Sequence, residues 1–522
     1  MNSVLFKGES CPSDFLDKQK YSVLFFFLAC KFIIHFFLID AVYDLHRDEY
    51  LHLDQANHLA WGYTSVPPVT SWISYLIKLL GNGLFWVKFF PVLFGALTIF
   101  VVWKTIDELK GNLFAFILGT GCITFSTLFR LNILYQPNSL DALCWTLCYF
   151  LLLKYLNSHA VKWLFYLAIA FAFGFLNKYN IGFLLLGLVP ALLVSAQRKI
   201  FLEKKLYLAA LLALILISPN LIWQYQEGFP VVKHMRELAD TQLVHVERWG
   251  FLKAQFFFFF GTFIVIILGL LGLVAYAPFK KYSVFFSSFL FTLAVFLLLK
   301  AKDYYAIGLY PVYFAFGSVY LASLLENRVG RVLKPICILL SLLFYVPVYR
   351  ITFPNKTPEY IATHSEKYKR LGMLRWEDGK EYALPQDFAD MLGWKELARK
   401  VDSVYAQIPD KEHTLVLCDN YGQAGAINYY SKKGVKATSF SADYINWFDL
   451  SKPYKNLIRV KYSGEKEREL QQTSAFFETG KLVDSVENSY AREHGTLIFS
   501  FREAKVDINK RIRDEIAQES GR

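Results

Sequence analysis

The sequence predicts a polytopic α-helical membrane protein that ends in a soluble α/β domain. Three observations carry this reading. Apolar residues gather in long blocks between Tyr21 and Arg350, each long enough to cross a hydrocarbon layer. The chain is 55% hydrophobic and only 19% charged, against about 25% charged residues in an ordinary globular domain. From Ile351 onward the composition turns polar, and short strand-like runs alternate with helical spacing. The expected division is therefore a membrane unit over 1–350 and a soluble unit over 351–522.

The apolar blocks number about eleven, near 21–40, 84–103, 113–130, 140–156, 161–176, 180–196, 206–222, 251–278, 282–299, 305–325 and 332–349. The first is read as an uncleaved span, because Asp40-Ala41-Val42-Tyr43 is a poor small-residue cleavage site. The formal net charge of +12 comes almost wholly from this half. Arg198, Lys199, Lys204, Lys205, Lys280, Lys281, Arg328 and Arg331 all fall in one alternating set of loops. Lys and Arg concentrate in cytoplasmic loops, so that set faces the cytoplasm with the N-terminus inside. The other set then faces outward, as does the tail. It includes two long loops, Ala41 to Gly83 and Trp223 to Gly250, rich in Pro, Trp and His. Long loops held by a rigid scaffold are where function concentrates.

In the tail, Thr414–Cys418, Leu457–Val460 and Thr496–Phe501 read as strands, and Gly422–Tyr430 as a turn entering a helix. Asp387–Val404 has helical spacing, and Asn509–Arg522 is charged and frayed or helical. The tail's near-balanced charge argues against a nucleic-acid surface. The seven cysteines have no metal-ligand spacing, and the single tail cysteine, Cys418, cannot form an internal disulfide. A P-loop, a Ser nucleophile elbow and a nucleotide-sugar site are all absent from the sequence pattern.

The first outer loop is the most informative stretch. It carries His46-Arg47-Asp48-Glu49-Tyr50, then Trp61-Gly62-Tyr63, and returns through Pro67-Pro68. An acidic pair beyond a span is commonly a solvated face, but this one lies in an aromatic, His-rich segment stiffened by prolines. These motifs resemble the first loop of bacterial family 39 glycosyltransferases, relatives of protein O-mannosyltransferases and of aminoarabinose transferases. The resemblance continues in order along the chain: Asn138-Ser-Leu-Asp141, Asn177-Lys178-Tyr179, Pro219-Asn220-Leu-Ile-Trp223-Gln224 with Gly228, Pro230 and His234, then Lys302-Asp-Tyr304-Tyr305 leading to Tyr310-Pro311. In the tail, Asn420-Tyr-Gly-Gln-Ala-Gly425 and Val486-Glu-Asn-Ser-Tyr490 through Gly495 resemble the outer domain of the same branch.

The resemblance implies a GT-C membrane fold and an inverting transferase that moves a sugar from a polyprenyl-phosphate donor to a protein, lipid or glycan acceptor at the outer membrane face. It implies Asp48 as the general base that takes the acceptor's hydroxyl proton, with Glu49 positioning Asp48 or the acceptor. Lys178 matches a phosphate-binding lysine, against an ordinary snorkelling role. Lys302, Tyr304 and Tyr305 form a second phosphate candidate, against an interfacial aromatic belt. Arg47 either neutralises phosphate or pairs with Asp48. Asp141 either reads sugar hydroxyls or caps a helix, and Asn138 and His234 are further substrate contacts. His46, His52 and His58 lack compact metal-ligand spacing; a divalent ion between His234 and the first loop is an additional candidate. Some relatives place an acidic-basic pair before the Pro turn, where this chain has Ser65 and Val66, so no contacts carry over from there. The expected setting is a bacterial inner membrane with a periplasmic tail. Three rival readings remain from the residues alone: a lipid-linked sugar transporter or flippase, a ligase or polymerase using a lipid pyrophosphate donor, and a non-catalytic membrane scaffold with the tail as a binding module.

Overall fold

The computed structural model describes residues 12–39 and 42–519. Asp40 and Ala41, part of the stretch weighed as a cleavage site, lie outside the described residues, as do the last three of the chain. Each apolar block is helical over most of its described length, in one piece or in broken pieces. Among the described residues six helices are long and apolar enough to cross a membrane, or up to nine if each of three bent pairs is one span. Two shorter apolar helices, Leu113–Thr124 and Lys162–Asn177, fall at two of the remaining blocks. The bends have local causes. Tyr179–Val194 and Ala196–Leu202 meet at 106° around Ser195, whose extended backbone ends one helix and whose hydroxyl accepts from the amide of Gln197 to start the next.

The helices pack through small residues. Cβ atoms added at Gly269 and Gly317 would meet the facing backbone at 2.6 and 1.8 Å, so glycine lets the helices Phe263–Ala275 and Pro311–Leu324 touch. Several faces that bury little protein remain apolar, as on Lys204–Gln226 and Gly330–Thr352, which suits contact with lipid.

The first outer loop is itself folded. His46 caps a short helix, Arg47–Asp54, in a capping box with Glu49. Val69–Leu79 follows Pro68 and buries Val69, Ser71, Ser74 and Ile77 while exposing Trp72, Tyr75, Leu76 and Leu79. That apolar outer stripe fits an interfacial helix lying along the membrane surface.

The tail is built on a five-stranded mixed sheet of order β2-β1-β3-β5-β4. The strands are β1 Thr414–Cys418, β2 Ala437–Ser439, β3 Asn456–Lys461, β4 Phe477–Ser485 and β5 Leu497–Ala504. β1 runs parallel to β2 and β3, and β5 pairs antiparallel with β3 and β4. The expected strands coincide with β1, β3 and β5. β2 is too short to signal itself, and β4 exposes much of its length. The helix expected over 387–404 is split into Gln386–Ala389 and Trp394–Ala406, with Gly393 left-handed at φ 84° just before the second. The terminal segment forms Ile508–Glu519.

One apolar core joins the first loop to the tail: Leu45, Tyr50, Leu51 and Leu53 pack with Trp394, Leu397, Ala424 and Ile427. The Tyr50 ring sits 5.7 Å from Trp394, 5.9 Å from Tyr429 and 5.8 Å from Tyr430. Gly425 permits the approach, since an added Cβ would lie 2.7 Å from Tyr50 Cβ. Gly425→Ala is therefore expected to cost about 1–3 kcal/mol by overpacking and to loosen this joint. A lower melting temperature with faster proteolysis of residues 42–83 is the expected result; an unchanged melt contradicts it.

Candidate active site

Because consecutive spans alternate in direction, the segments bearing the candidate residues all leave the helices at one end. Helix Lys162–Asn177 stops where Lys178 adopts an extended backbone, and helix Asn138–Ser158 begins after Pro137. These two ends lie beside the first-loop helix and the start of the Asp303–Leu309 turn.

A continuous hydrogen-bonded chain links them. Lys178 Nζ donates to Asn138 Oδ1 at 2.7 Å. Asn138 Nδ2 donates to Gln136 Oε1 at 2.9 Å. Gln136 Nε2 donates to Asp48 Oδ2 at 3.1 Å, and the Tyr421 hydroxyl of the tail donates to Asp48 Oδ1 at 2.7 Å. The Lys178 ammonium also lies 5.1 Å from the Tyr304 ring centroid and 4.6 Å from that of Tyr305, within cation–π range. Asp48, Asn138, Lys178, Tyr304 and Tyr305 thus belong to one network of hydrogen bonds and cation–π contacts.

Burial alone would raise the Asp48 carboxyl, but His46, Arg47 and the Tyr421 hydrogen bond outweigh it and hold the group below its ordinary value. With 37% of its side chain open, Asp48 is an accessible carboxylate. Arg47 stacks on Tyr421 at 4.6 Å, and its Nε is buried without a hydrogen-bond partner. Its positive charge is kept by Tyr421, Asp390 and Asp48 against the opposing effect of burial.

Glu49 occupies a different position from its neighbour. It is fully buried. Lys88 Nζ donates to both its oxygens at 2.8 and 3.0 Å, and the amides of His46 and Tyr135 donate at 2.7 Å each. Its lone pairs are committed to holding the loop helix against the membrane unit.

Asp141 makes no capping bond. Its Oδ2 accepts from Asn180 Nδ2 at 2.8 Å, and Asn180 also donates to the Tyr305 carbonyl at 3.0 Å. Among the described residues Asp141 Oδ1 and Asn180 Oδ1 are buried acceptors without a hydrogen-bond partner. Lys302 is paired with Glu377 of the tail at 2.8 Å. Burial would raise the Glu377 carboxyl, but Lys302 outweighs it and keeps the group low. His234 lies on Pro230–Thr241, where burial lowers its imidazole.

The remaining motif residues build the walls. Asn220 Nδ2 donates to the Trp61 carbonyl at 2.7 Å, the Tyr179 hydroxyl donates to Asn220 Oδ1 at 3.0 Å, and Gln224 Nε2 donates to Tyr179 at 2.8 Å. A side chain at Gly62 would strike the Trp223 ring at 2.3 Å. His52 binds Gln55 at 3.3 Å and His58 stacks on Trp447 at 4.3 Å, so both serve packing of the first loop. Among the described residues no group of three or more His, Cys, Asp and Glu side chains stands close enough to hold a metal ion.

Gln136, Tyr421, Glu377, Lys88 and Asn180 were not singled out as site residues by the sequence. Gln136 lies two residues before Asn138, and Tyr421 lies inside the Asn420–Gly425 motif, so both had a nearby signal. Glu377 had none.

The architecture is the GT-C fold, and residues 65–223 match the sequence model of the dolichyl-phosphate-mannose-protein mannosyltransferase family. Together these define a membrane glycosyltransferase of GT-C type. Asn138, Asp141 and Lys178 lie within the matched stretch, and Asp48 precedes it. No curated protein sequence matches the chain. Among solved structures the chain is similar to ArnT from Cupriavidus metallidurans bound to undecaprenyl phosphate, with TM-score 0.57, 14% identity, and coverage of 91% of this chain and 97% of that one. The apo state of the same protein gives TM-score 0.58 at 13% identity, covering 92% and 98%. The archaeal oligosaccharyltransferase AglB from Archaeoglobus fulgidus, in complex with an inhibitory peptide and a dolichol-phosphate, gives TM-score 0.50 at 12% identity, covering 88% of this chain and 70% of that one.

Proposed function

We propose that the protein is an inverting glycosyltransferase that moves a sugar from a polyprenyl-phosphate donor to a hydroxyl acceptor at the outer face of a bacterial inner membrane. The observation that carries this reading is the hydrogen-bonded chain from Lys178 to Asp48. It joins a cation suited to a departing phosphate and a carboxylate suited to an attacking hydroxyl. The ArnT and AglB structures were determined with a polyprenyl or dolichol monophosphate, which supports the same donor class here.

In this mechanism Lys178, flanked by Tyr304 and Tyr305, neutralises the lipid phosphate as its bond to the anomeric carbon breaks. Asp48 accepts the acceptor's proton as that oxygen attacks from the opposite side. The unpartnered oxygens of Asp141 and Asn180 are acceptors suited to sugar hydroxyls, since a buried acceptor left unmatched is costly. Lys302 adds a second cation once Glu377 yields it. The tail faces outward and contributes Tyr421 and Glu377 beside Asp48 and Lys302.

Lys178→Met removes one charge-assisted contact of about 1.5–3 kcal/mol. Binding of undecaprenyl phosphate to purified protein is expected to weaken about 10- to 100-fold. Unchanged affinity would remove Lys178 from the phosphate site. Turnover of a pyrophosphate donor alone would favour the ligase reading.

A further inference from the structure

We propose that Tyr421, contributed by the tail, is a positioning residue for the transfer reaction, holding the Asp48 carboxylate in its reactive orientation so that the tail completes the active site. This inference rests on the reading of Asp48 as the base and extends it.

The argument starts from the tail's sheet. Its strand order β2-β1-β3 makes the end of β1 a switch point, because the chain leaves β1 for β2 on one side and returns to β3 on the other. In open α/β sheets this corner is where functional groups are presented. Here it presents Asp419, Asn420 and Tyr421, and Tyr421 opens the helix Tyr421–Tyr430.

The corner is rigidly built. Asn420 Oδ1 accepts from the amide of Gln423 at 3.0 Å. Asn420 Nδ2 donates to Glu493 Oε1 at 3.2 Å and to the Tyr462 hydroxyl at 2.9 Å. Gln423 Nε2 and Thr496 Oγ1 donate to Glu493 Oε2 at 2.5 and 3.1 Å. Glu493 and Gln423 are almost wholly buried, and Gly422 lets the first loop approach, since an added Cβ would lie 3.2 Å from Arg47 Cβ. Arg47 stacks on the Tyr421 ring and fixes its plane.

The result is a division of the Asp48 oxygens. Oδ1 accepts from Tyr421 and Oδ2 from Gln136, one donor from the tail and one from the membrane unit. Each oxygen keeps lone-pair capacity beyond the bond it accepts, so two opposed donors orient the group without consuming it as a base. A side chain held from both sides loses little freedom on reaching the transition state.

The other charged and titratable groups facing Asp48 are His46, Arg47 and His52 on the first loop, Tyr304 on the membrane unit, and Glu377 and Asp390 on the tail. All of these side chains remain when Tyr421 loses only its hydroxyl, and Arg47 keeps Asp390 and Asp48 as charge partners. Tyr421 donates to the ionised carboxylate and favours it, so its removal raises the Asp48 pKa. Activity requires the ionised form, so the acid limb of the pH profile then moves upward.

The test uses full-length purified protein, comparing Tyr421→Phe and Asp48→Asn with the parent over the acid limb. Phe keeps the ring and its stacking on Arg47. Tyr421→Phe is expected to lower kcat about tenfold and move the acid limb upward by about one pH unit, with the KM for the lipid donor unchanged. A merely structural role would not move the acid limb. If Tyr421→Phe leaves kcat and the limb in place while Asp48→Asn abolishes transfer, the Tyr421 proposal is overturned and the base reading stands. If Asp48→Asn keeps full activity, both fall.

Discussion

Replacing Asp48 by Asn is expected to lower kcat for sugar transfer by about 10²- to 10⁴-fold, the usual contribution of a positioned general base, while leaving binding of the lipid phosphate intact. Asn retains an oxygen to accept from Tyr421 and nearly the same volume, so the helix Arg47–Asp54 and its capping box are unaffected. What is lost is proton affinity, together with the acceptor for Gln136 Nε2, which the new amide nitrogen cannot replace. Lys178 reaches Asp48 only through Asn138 and Gln136, which is why donor affinity stays. In the parent, kcat/KM should fall only on strong acidification, because His46, Arg47 and Tyr421 keep Asp48 ionised below the ordinary carboxylate range. Rate and affinity measured on one preparation separate the two effects. An Asp48→Asn protein with full kcat would show that the proton leaves by another route.

The second large effect is on stability. Glu49→Ala is expected to cost about 3–5 kcal/mol, since it strands the Lys88 ammonium in the interior. Glu49 and Lys88 are both buried. Among the described residues Lys88 Nζ donates, besides Glu49, only to the Ile133 carbonyl, at 3.0 Å, and the amides of His46 and Tyr135 also lose their acceptor. The first loop should detach from the membrane unit, and activity should fall with it. Glu49→Ala combined with Lys88→Met removes both charges and is expected to recover much of the loss. Thermal unfolding in detergent measures both variants. A melting temperature for Glu49→Ala equal to the parent's would show that the pair does not hold the loop.

This contrast marks what the sequence conveyed. Asp48 and Glu49 are adjacent, and pattern alone treats them alike as an acidic pair. The helix turns them apart by about 100°, sending Glu49 inward to Lys88 and leaving Asp48 between Gln136 and Tyr421. No local signal tells a reader that Lys88, an apparent interfacial lysine at the start of a span, is the buried partner. The spans were legible because apolar blocks of that length have few other folded outcomes. Asn138, Lys178, Tyr304 and Tyr305 were legible as motifs, but that hydrogen bonds join Asn138 and Lys178 to Asp48, with both tyrosine rings beside Lys178, is a tertiary fact. The tail's part was least legible. Tyr421 reaches Asp48 where the Gly422 and Gly425 side of its helix seats the first loop, Glu377 meets Lys302 across the fold, and neither residue's own type announces a role.

The most direct test of the account is transfer by the purified full-length protein, in lipid nanodiscs, from a radiolabelled sugar carried on undecaprenyl monophosphate, on undecaprenyl pyrophosphate, or on a nucleotide. The account predicts release of free lipid phosphate with label appearing on an acceptor only from the monophosphate donor. Turnover from the pyrophosphate or nucleotide donor, with none from the monophosphate, would contradict it.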